Sequence, residues 1–335
     1  MQKDTTQKEL EAYNDVFADI CNVAVFGGKE VLKEEDLVPL PTESYTRNTD
    51  GTTRQGFRDV RKADRRNGRY HLIIGLENQT GVDYTMPERV MGYEYASYEE
   101  QIKVLMAKNR TEKKPAVTKR LHEEQRLAPV VTTVIYWGEK EWTGPRCLHD
   151  MLEFPPEMEK EIRPFVADYP IHLLEMAALP EEVRSSFQSD FRILAEYAAS
   201  RENAEKWERF METYQKAIVH PEELLDTLSA LSGDSRYTEV KEKVIEKECG
   251  EEKGEVRMCE VAEKLEQRGI QKGIQQGIQQ GIQEGIREGI REGVRRTMEI
   301  CLELGIAKEQ VIDKVMEKYA LSREDAEKEM ERCWG

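Results

Sequence analysis

The stretch Leu72-Ile73-Ile74-Gly75-Leu76 is followed directly by Glu77-Asn78-Gln79-Thr80. The unbroken apolar run predicts a buried strand, and the polar run predicts where that strand ends. A second acid lies upstream, in Arg58-Asp59-Val60. Carboxylates at the end of a buried strand need a partner, and a divalent metal ion is one that satisfies two of them. The stretch therefore indicates both a central strand of a sheet and a candidate metal site.

The composition describes a globular chain with strongly charged surfaces. It has 335 residues, enough for more than one folding unit, and six scattered cysteines without a Cys-x-x-Cys pair. No apolar run approaches the roughly 20 residues that a membrane helix needs, and the first residues lack the pattern of a signal peptide. We therefore expect a reduced, cytoplasmic protein with no membrane partner.

Charge is distributed unevenly along the chain, whose formal net charge is −16. Residues 54–70 carry seven basic and two acidic side chains, residues 110–126 six and three, and residues 150–230 eight and 18. The two basic segments flank the strand that ends at Glu77, so an acidic protein can still present a basic site to DNA. Ordinary solvated strand edges explain either basic segment equally well.

Periodicity and turn residues predict the order α, β, β, β, α, β, an α/β core with a mixed sheet. The predicted elements are a helix at Gln7–Val25, strands at Glu43–Arg47, Gly56–Ala63 and Arg69–Glu77, a helix opened by a Thr85/Glu88 capping box, and a strand at Ala128–Trp137. The core is expected to fill residues 1–145, and an all-α half to follow it. This half divides into a helical middle region (146–235), a charged helix with a Gly-Ile repeat (236–296) and a small helical module (297–335).

The loop at Asn67-Gly68 decides whether Asp59 and Glu77 share a face of the sheet. A two-residue turn would pair Asp59 with Leu76 and place the two acids on opposite faces. A three-residue loop with Gly68 in the left-handed region, or an equivalent bulge, would place Asp59 opposite Gly75 and on the face of Glu77. We expect the latter register, in which Gly75 leaves room for an ion.

In that register, Asp59 and Glu77 are hard oxygen ligands for Mg²⁺, or for Mn²⁺ or Ca²⁺. Such an ion polarises a scissile phosphate and lowers the pKa of a bound water. Gln79 can orient the attacking water, but it is uncharged. The developing charge would then be stabilised by a nearby base, for which the candidates are Arg61, Arg89 and Lys62. The alternative is a pair of strand-end acids that meet surface arginines.

Several motifs resemble the recombination-promoting nucleases (Rpn), also called PD-(D/E)XK nuclease family transposases. The resemblance is carried by Arg58-Asp59-Val60, Gly75-Leu76-Glu77-Asn78-Gln79-Thr80, Met86-Pro87-Glu88-Arg89-Val90-Met91-Gly92-Tyr93, Tyr136-Trp137-Gly138, Trp142, Gly144-Pro145-Arg146, Leu148-His149-Asp150 and the C-terminal repeat. It implies a restriction-endonuclease-like αβββαβ core that cleaves DNA with a divalent metal in recombination or mobile-element biology. It also implies Asp59, Glu77 and Gln79 as the catalytic residues, with Gln79 in place of the superfamily's lysine.

Other residues around this site have weaker assignments. The resemblance implies an additional polar residue on the first helix, for which Asp19 and Asn22 are candidates. Arg89 and Tyr93 lie one turn apart on the helix after the strand. They could contact DNA phosphate or support Glu77, and a plain pair on a helix face is an equally good interpretation.

The Gly-Ile repeat, residues 269–294, places glycine at every fourth position from Gly269 to Gly293, each followed by isoleucine or, at the last, valine. On a helix of 3.6 residues per turn this stripe winds slowly around the axis. Glycine permits a close approach of helices, so the repeat could form a homodimer; a solvated spacer is the alternative. Two functions therefore remain: a metal-dependent DNA endonuclease, or a decayed nuclease fold that acts as a non-catalytic scaffold.

Overall fold

The computed structural model describes residues 2–47, 53–112, 120–248 and 255–334. The chain forms two compact units, Met1–Lys264 and Leu265–Gly335. Two predicted segments lie partly outside the described residues: the basic segment 110–126 at 113–119, and the charged part of 236–296 at 249–254. No helix within the described ranges is long and apolar enough to cross a membrane.

The elements follow in this order. Those up to residue 136 are α1 Gln2–Glu11, α2 Asn14–Phe26, β1 Leu37–Pro39, β2 Glu43–Arg47, β3 Thr53–Phe57, β4 Val60–Arg66, β5 Arg69–Gln79, α3 Met86–Thr111 and β6 Val130–Tyr136. The next are α4 Glu159–Ile162, β7 His172–Glu175, α5 Glu181–Ser186, α6 Phe191–Ser200, α7 Ala204–Thr213, β8 Ala217–Ile218, α8 Pro221–Ser232, α9 Arg236–Glu248 and β9 Val256–Arg257. The last are α10 Met258–Glu303, α11 Lys308–Tyr319 and α12 Arg323–Trp334.

The main sheet has five strands in the order β1-β4-β5-β6-β7. β4 is antiparallel to both β1 and β5, whereas β6 is parallel to both β5 and β7. The prediction of a mixed α/β sheet is thus confirmed. The expectation of an all-α second half is wrong at β7, a short strand whose pairing with β6 outweighs its weak local pattern. The small β8–β9 pair is a second exception.

Helices cover both faces of the sheet, and the alternation of β5 decides which residue meets which helix. Tyr98 of α3 packs with the cluster around Ile73, so odd-numbered positions of β5 face α3. On the other face, the Lys62 ammonium lies over the Phe17 ring of α2, 5.1 Å from its centroid. Because Lys62 pairs with Ile74, even-numbered positions of β5 face the N-terminal helices.

Three local predictions were wrong. The expected single first helix is divided at Ala12 and Tyr13 into α1 and α2. The expected strand at Gly56–Ala63 is interrupted, since β3 ends at Phe57 and β4 begins at Val60. The capping box does not form: the Thr85 hydroxyl donates to Asp83 Oδ1 at 2.7 Å and caps no helical N–H.

The hairpin between β4 and β5 combines a two-residue turn with a bulge. The turn has two residues, because Arg66 pairs with Arg69 while Asn67 (φ 51°) and Gly68 (φ 76°) both adopt left-handed conformations. Asp64 pairs with Leu72 but Arg65 pairs with Tyr70, so His71 is the extra residue of a bulge. The three-residue loop was therefore wrong, and the bulge shifts the pairing by one residue, so that Val60 pairs with Leu76.

In the smaller unit, the C-terminal part of α10 packs with α11 and α12 around a core that includes Met298, Val315 and Met330. The Gly-Ile repeat belongs to the continuous helix α10, which ends at Glu303, inside the expected C-terminal module (297–335). Within this module α11 and α12 are separate helices, and Ala320 between them has φ 54°.

Candidate active site

The register of β4 and β5 brings Asp59 next to Glu77. The paired positions of the two strands end at Val60 and Leu76, and Asp59 precedes Val60 in the two-residue gap between β3 and β4. The Asp59 backbone N–H donates to the Leu76 carbonyl at 3.2 Å, which places Asp59 beside the end of β5. Its Oδ2 accepts a hydrogen bond of 2.6 Å from the Asn78 backbone N–H. This contact fixes one carboxylate oxygen at the end of the hairpin.

The other oxygen of Asp59 faces α1. Lys8 Nζ lies 2.8 Å from Asp59 Oδ1. The same ammonium lowers the pKa of Glu77 through its charge, although burial and Asp59 outweigh it. A cation from the first helix thus lies within electrostatic range of both acids, and the sequence analysis missed it.

Glu77 is 3% exposed and lies in the layer between the sheet and α3. Its Oε1 accepts from Arg89 Nη2 and, at 3.2 Å, from Gln79 Nε2, while Tyr93 Oη lies 3.5 Å away. Its Oε2 is buried and has no hydrogen-bond partner in the described ranges. Burial, followed by the charge of Asp59, raises the pKa of Glu77 to about 8. The carboxyl group is therefore held where its charge is poorly compensated.

Arg89 is positioned by two further contacts. Its Nη1 donates to Asp83 Oδ2 at 2.6 Å and its Nη2 donates to Tyr93 Oη at 2.9 Å. Of the three roles weighed for Arg89 and Tyr93, the geometry matches support of Glu77.

A polar cluster surrounds the Asn78 side chain, on the face of the sheet that meets the N-terminal helices. The Asn78 side chain donates to Glu11 Oε2 at 2.7 Å and accepts from Trp137 Nε1 at 2.6 Å. Glu11, at the end of α1, is 1% exposed, and its Oε1 has no hydrogen-bond partner within the described part of the chain. Burial raises its pKa to about 8. The first helix does supply an acid near Asp59. Sequence reasoning missed it because no residue pattern indicates that the helix divides at Ala12.

The structure does not bring Asp19 or Asn22 to the two acids. Asp19 accepts from the backbone N–H groups of Gln188 and Ser189 at 2.8 and 2.7 Å. Asn22 bonds to Leu32 through both its amide nitrogen and its amide oxygen. Both side chains therefore join segments of the chain.

Two of the proposed bases also point elsewhere. Lys62 lies on the opposite face of the sheet and donates to Ala12 O and Asn14 Oδ1, at 2.5 and 2.6 Å. Arg61 is on the face of Glu77, but its terminal nitrogens donate to Pro41 O and Glu100 Oε2, at 3.1 and 2.7 Å.

Arg58 is the basic residue of this face that sequence reasoning missed. Its side chain lies across Gly75, where a Cβ atom would come within 2.6 Å of Arg58 Cδ. The space at Gly75 that was expected to admit an ion is thus filled by Arg58. Burial lowers the pKa of Arg58 to about 10, so its guanidinium stays charged at neutral pH.

The donor set of the two acids fits a hard cation with few protein ligands. Mg²⁺ in proteins keeps several waters and takes one or two carboxylates, and Glu77 Oε2 is a buried oxygen without a hydrogen-bond partner among the described residues. No group of three or more His, Cys, Asp or Glu residues in the described part of the chain is arranged to hold a metal. Asp59 and Glu77 therefore fit such an ion as a two-carboxylate site.

The fold and the site define an α/β protein with paired carboxylates where two antiparallel strands meet. Residues 50–224, more than half of the chain, match the family described as "Putative transposase, YhgA-like", and the chain belongs to this family. The resemblance stated from the sequence motifs is thereby confirmed, and membership indicates a function related to mobile elements. No curated protein and no solved structure matches the chain significantly.

Proposed function

We propose that this protein is a divalent-metal-dependent DNA endonuclease with a restriction-endonuclease-like core, and that it acts in recombination or mobile-element biology. The observation that carries the proposal is the proximity of the two acids: Asp59 accepts from the Asn78 backbone N–H next to Glu77, and Glu77 Oε2 is buried without a partner among the described residues. Family membership supports DNA as the partner.

Asp59 and Glu77 would hold Mg²⁺, or Mn²⁺ or Ca²⁺, which supplies polarisation of the scissile phosphate and a more acidic bound water. The Asn78 N–H orients the Asp59 carboxylate, and Arg89 with Tyr93 orients that of Glu77. Gln79 donates to Glu77 through Nε2, so its amide oxygen can accept a hydrogen bond from the attacking water.

Supercoiled plasmid tests the proposal. Purified full-length protein is incubated with plasmid and Mg²⁺, Mn²⁺ or Ca²⁺, together with Asp59→Asn and Asp64→Asn. Asp64 is a matched control because it is also buried on this hairpin, but it pairs with Leu72 and its carboxylate binds Arg66 at 3.0 Å. We expect nicking by the wild type and by Asp64→Asn, and none by Asp59→Asn. Nicking that survives in Asp59→Asn would refute the site, and no nicking with any ion would favour the scaffold function.

We also propose that α10 carries a homodimer contact. Five isoleucines of the repeat are 55–59% exposed: Ile270, Ile274, Ile278, Ile282 and Ile286. A Cβ atom added at Gly273, Gly277, Gly281 or Gly285 would meet nothing within 4 Å, so the described part of the chain leaves this stripe open to a second helix. An identical repeat offers the same spacing of small and branched residues, and burying the isoleucines would offset the low helix propensity of glycine.

A further inference from the structure

We propose that Arg58 is an anion-binding residue that contacts a phosphate oxygen of the DNA strand held at Asp59 and Glu77. This inference rests on the proposed function, because the nuclease reaction is what would bring a phosphodiester to this layer. It assigns to Arg58 the positive charge that Gln79 cannot supply.

The first observation is that Arg58 is buried without compensation. Arg58 is 4% exposed, and neither Nη1 nor Nη2 has a hydrogen-bond partner among the residues that the structure describes. A buried charge without hydrogen bonds is strongly unfavourable, so folded proteins rarely keep one without a function. Arg184 shows the usual arrangement: it is equally buried, and it donates to Glu196 Oε2 at 2.9 Å and to Leu179 O.

The second observation is how Arg58 is held in place. Its side chain crosses Gly75, two residues before Glu77 on the same face, and its guanidinium carbon lies 5.5 Å from the centroid of the Tyr93 ring. The glycine and the ring face fix the guanidinium without using its donors. Glu77 and Glu94 attract it through space and Arg61 repels it. The surroundings therefore hold the Arg58 guanidinium in place and leave its terminal nitrogens available as donors.

The third observation is that the neighbouring cations already form ion pairs with carboxylates. Arg89 binds Asp83 and Glu77, and Lys8 binds Asp59. Arg61 binds Glu100. Both terminal nitrogens of Arg58 are shielded from water, so their partner has to be an atom brought into the layer beneath α3. A phosphate oxygen matches a guanidinium in charge and in its paired donors.

The test separates this role from a structural one by opposite effects on stability and activity. In Arg58→Met the melting temperature should rise, by about 2–4 °C for a gain of about 1 kcal/mol, because an uncompensated buried charge is removed. The turnover number for plasmid nicking should fall about 100-fold or more, as on loss of a donor to developing charge. Arg58→Lys should recover part of the turnover. Arg184→Met should lose stability, since Glu196 is left buried and unpaired.

A second variant keeps every polar side chain. Gly75→Ala places a methyl group on Arg58 and should reduce nicking to a similar extent, in protein whose cooperative melting shows that it is folded. Arg58→Met that melts at a lower temperature than the wild type, like Arg184→Met, would overturn the inference. Undiminished nicking by folded Arg58→Met or Gly75→Ala would overturn it as well.

A binding measurement keeps this inference separate from the proposed function. Inorganic phosphate should raise the melting temperature of the wild type, and this shift should be lost in Arg58→Met. If the wild type nicks no plasmid with any ion, the proposed function fails. The shift in melting temperature on adding phosphate then tests the anion site by itself. Equal shifts in the wild type and Arg58→Met would overturn the anion site, whereas loss of the shift in the variant would support it.

Discussion

Replacing Asn78 with alanine should destabilise the larger unit strongly, since one side chain satisfies two buried partners. The change leaves Glu11 Oε2 and Trp137 Nε1 without the hydrogen bonds of 2.7 and 2.6 Å that they now share with Asn78. A buried polar group left without a hydrogen bond lowers the free energy of unfolding by about 1–3 kcal/mol, and by more where it is charged. Two such groups give a loss of about 2–6 kcal/mol in the free energy of unfolding.

Urea unfolding followed by tryptophan fluorescence measures this loss, because Trp137, Trp142 and Trp207 all belong to the larger unit. Asn109→Ala is the matched control. Asn109 is also buried, but in the described part of the chain it exchanges hydrogen bonds of 3.1 and 2.9 Å with Gln125 alone, a half-buried residue that can turn to water. We expect the control to lose less than about 1–1.5 kcal/mol, the value of an ordinary hydrogen bond. A loss in Asn78→Ala no greater than in the control would refute the reasoning.

Three further predictions follow from single positions. Burial raises the pKa of Glu11 from an ordinary 4.5 to about 8 in the folded state. Its contribution to the free energy of unfolding is therefore fully present below about pH 4.5 and is lost as the pH rises to about 8. Glu11→Gln should therefore gain stability over the wild type at pH 8 but not at pH 4.5 in urea titrations, and equal differences at both pH values would contradict this. Gly68→Ala, at φ 76°, should lower the free energy of unfolding by about 1–2 kcal/mol, whereas Gly81→Ala, where a Cβ atom meets nothing within 4 Å, should change it little. Ile278→Glu should give monomers in light scattering after size exclusion while Gln279→Glu stays dimeric, and identical masses for the two variants would argue against the repeat as the contact.

The sheet was predictable where the pattern is local and strong. The apolar run before Glu77 gave β5 correctly, and the β-branched run after Ala128 gave β6. The register was not predictable from the turn alone, because the bulge at His71 changes the pairing within the strand and Asn67-Gly68 carries no signal of it. The three-residue loop was wrong, and the expectation that the two acids share one face of the sheet stays a prediction, because the paired positions end at Val60.

The side chains around the two acids were less predictable than the acids themselves. Glu11, Lys8 and Arg58 reach the site through the division of the first helix and the interruption between β3 and β4, and neither break has a proline or glycine to mark it. Lys62 was a wrong choice of base because strand alternation sends it to the opposite face. Asp19 and Asn22 join distant segments of the chain, a role that depends on tertiary structure alone.

Binding of Mn²⁺ tests the central claim, a cation held by Asp59 and Glu77, without requiring any DNA cleavage. Electron paramagnetic resonance of free Mn²⁺ titrated with full-length protein gives the number of ions bound. We predict one ion bound by the wild type and by Asp64→Asn, and none by Asp59→Asn or Glu77→Gln. Undiminished binding by folded Asp59→Asn and Glu77→Gln would contradict the account, as would a wild type that binds no Mn²⁺.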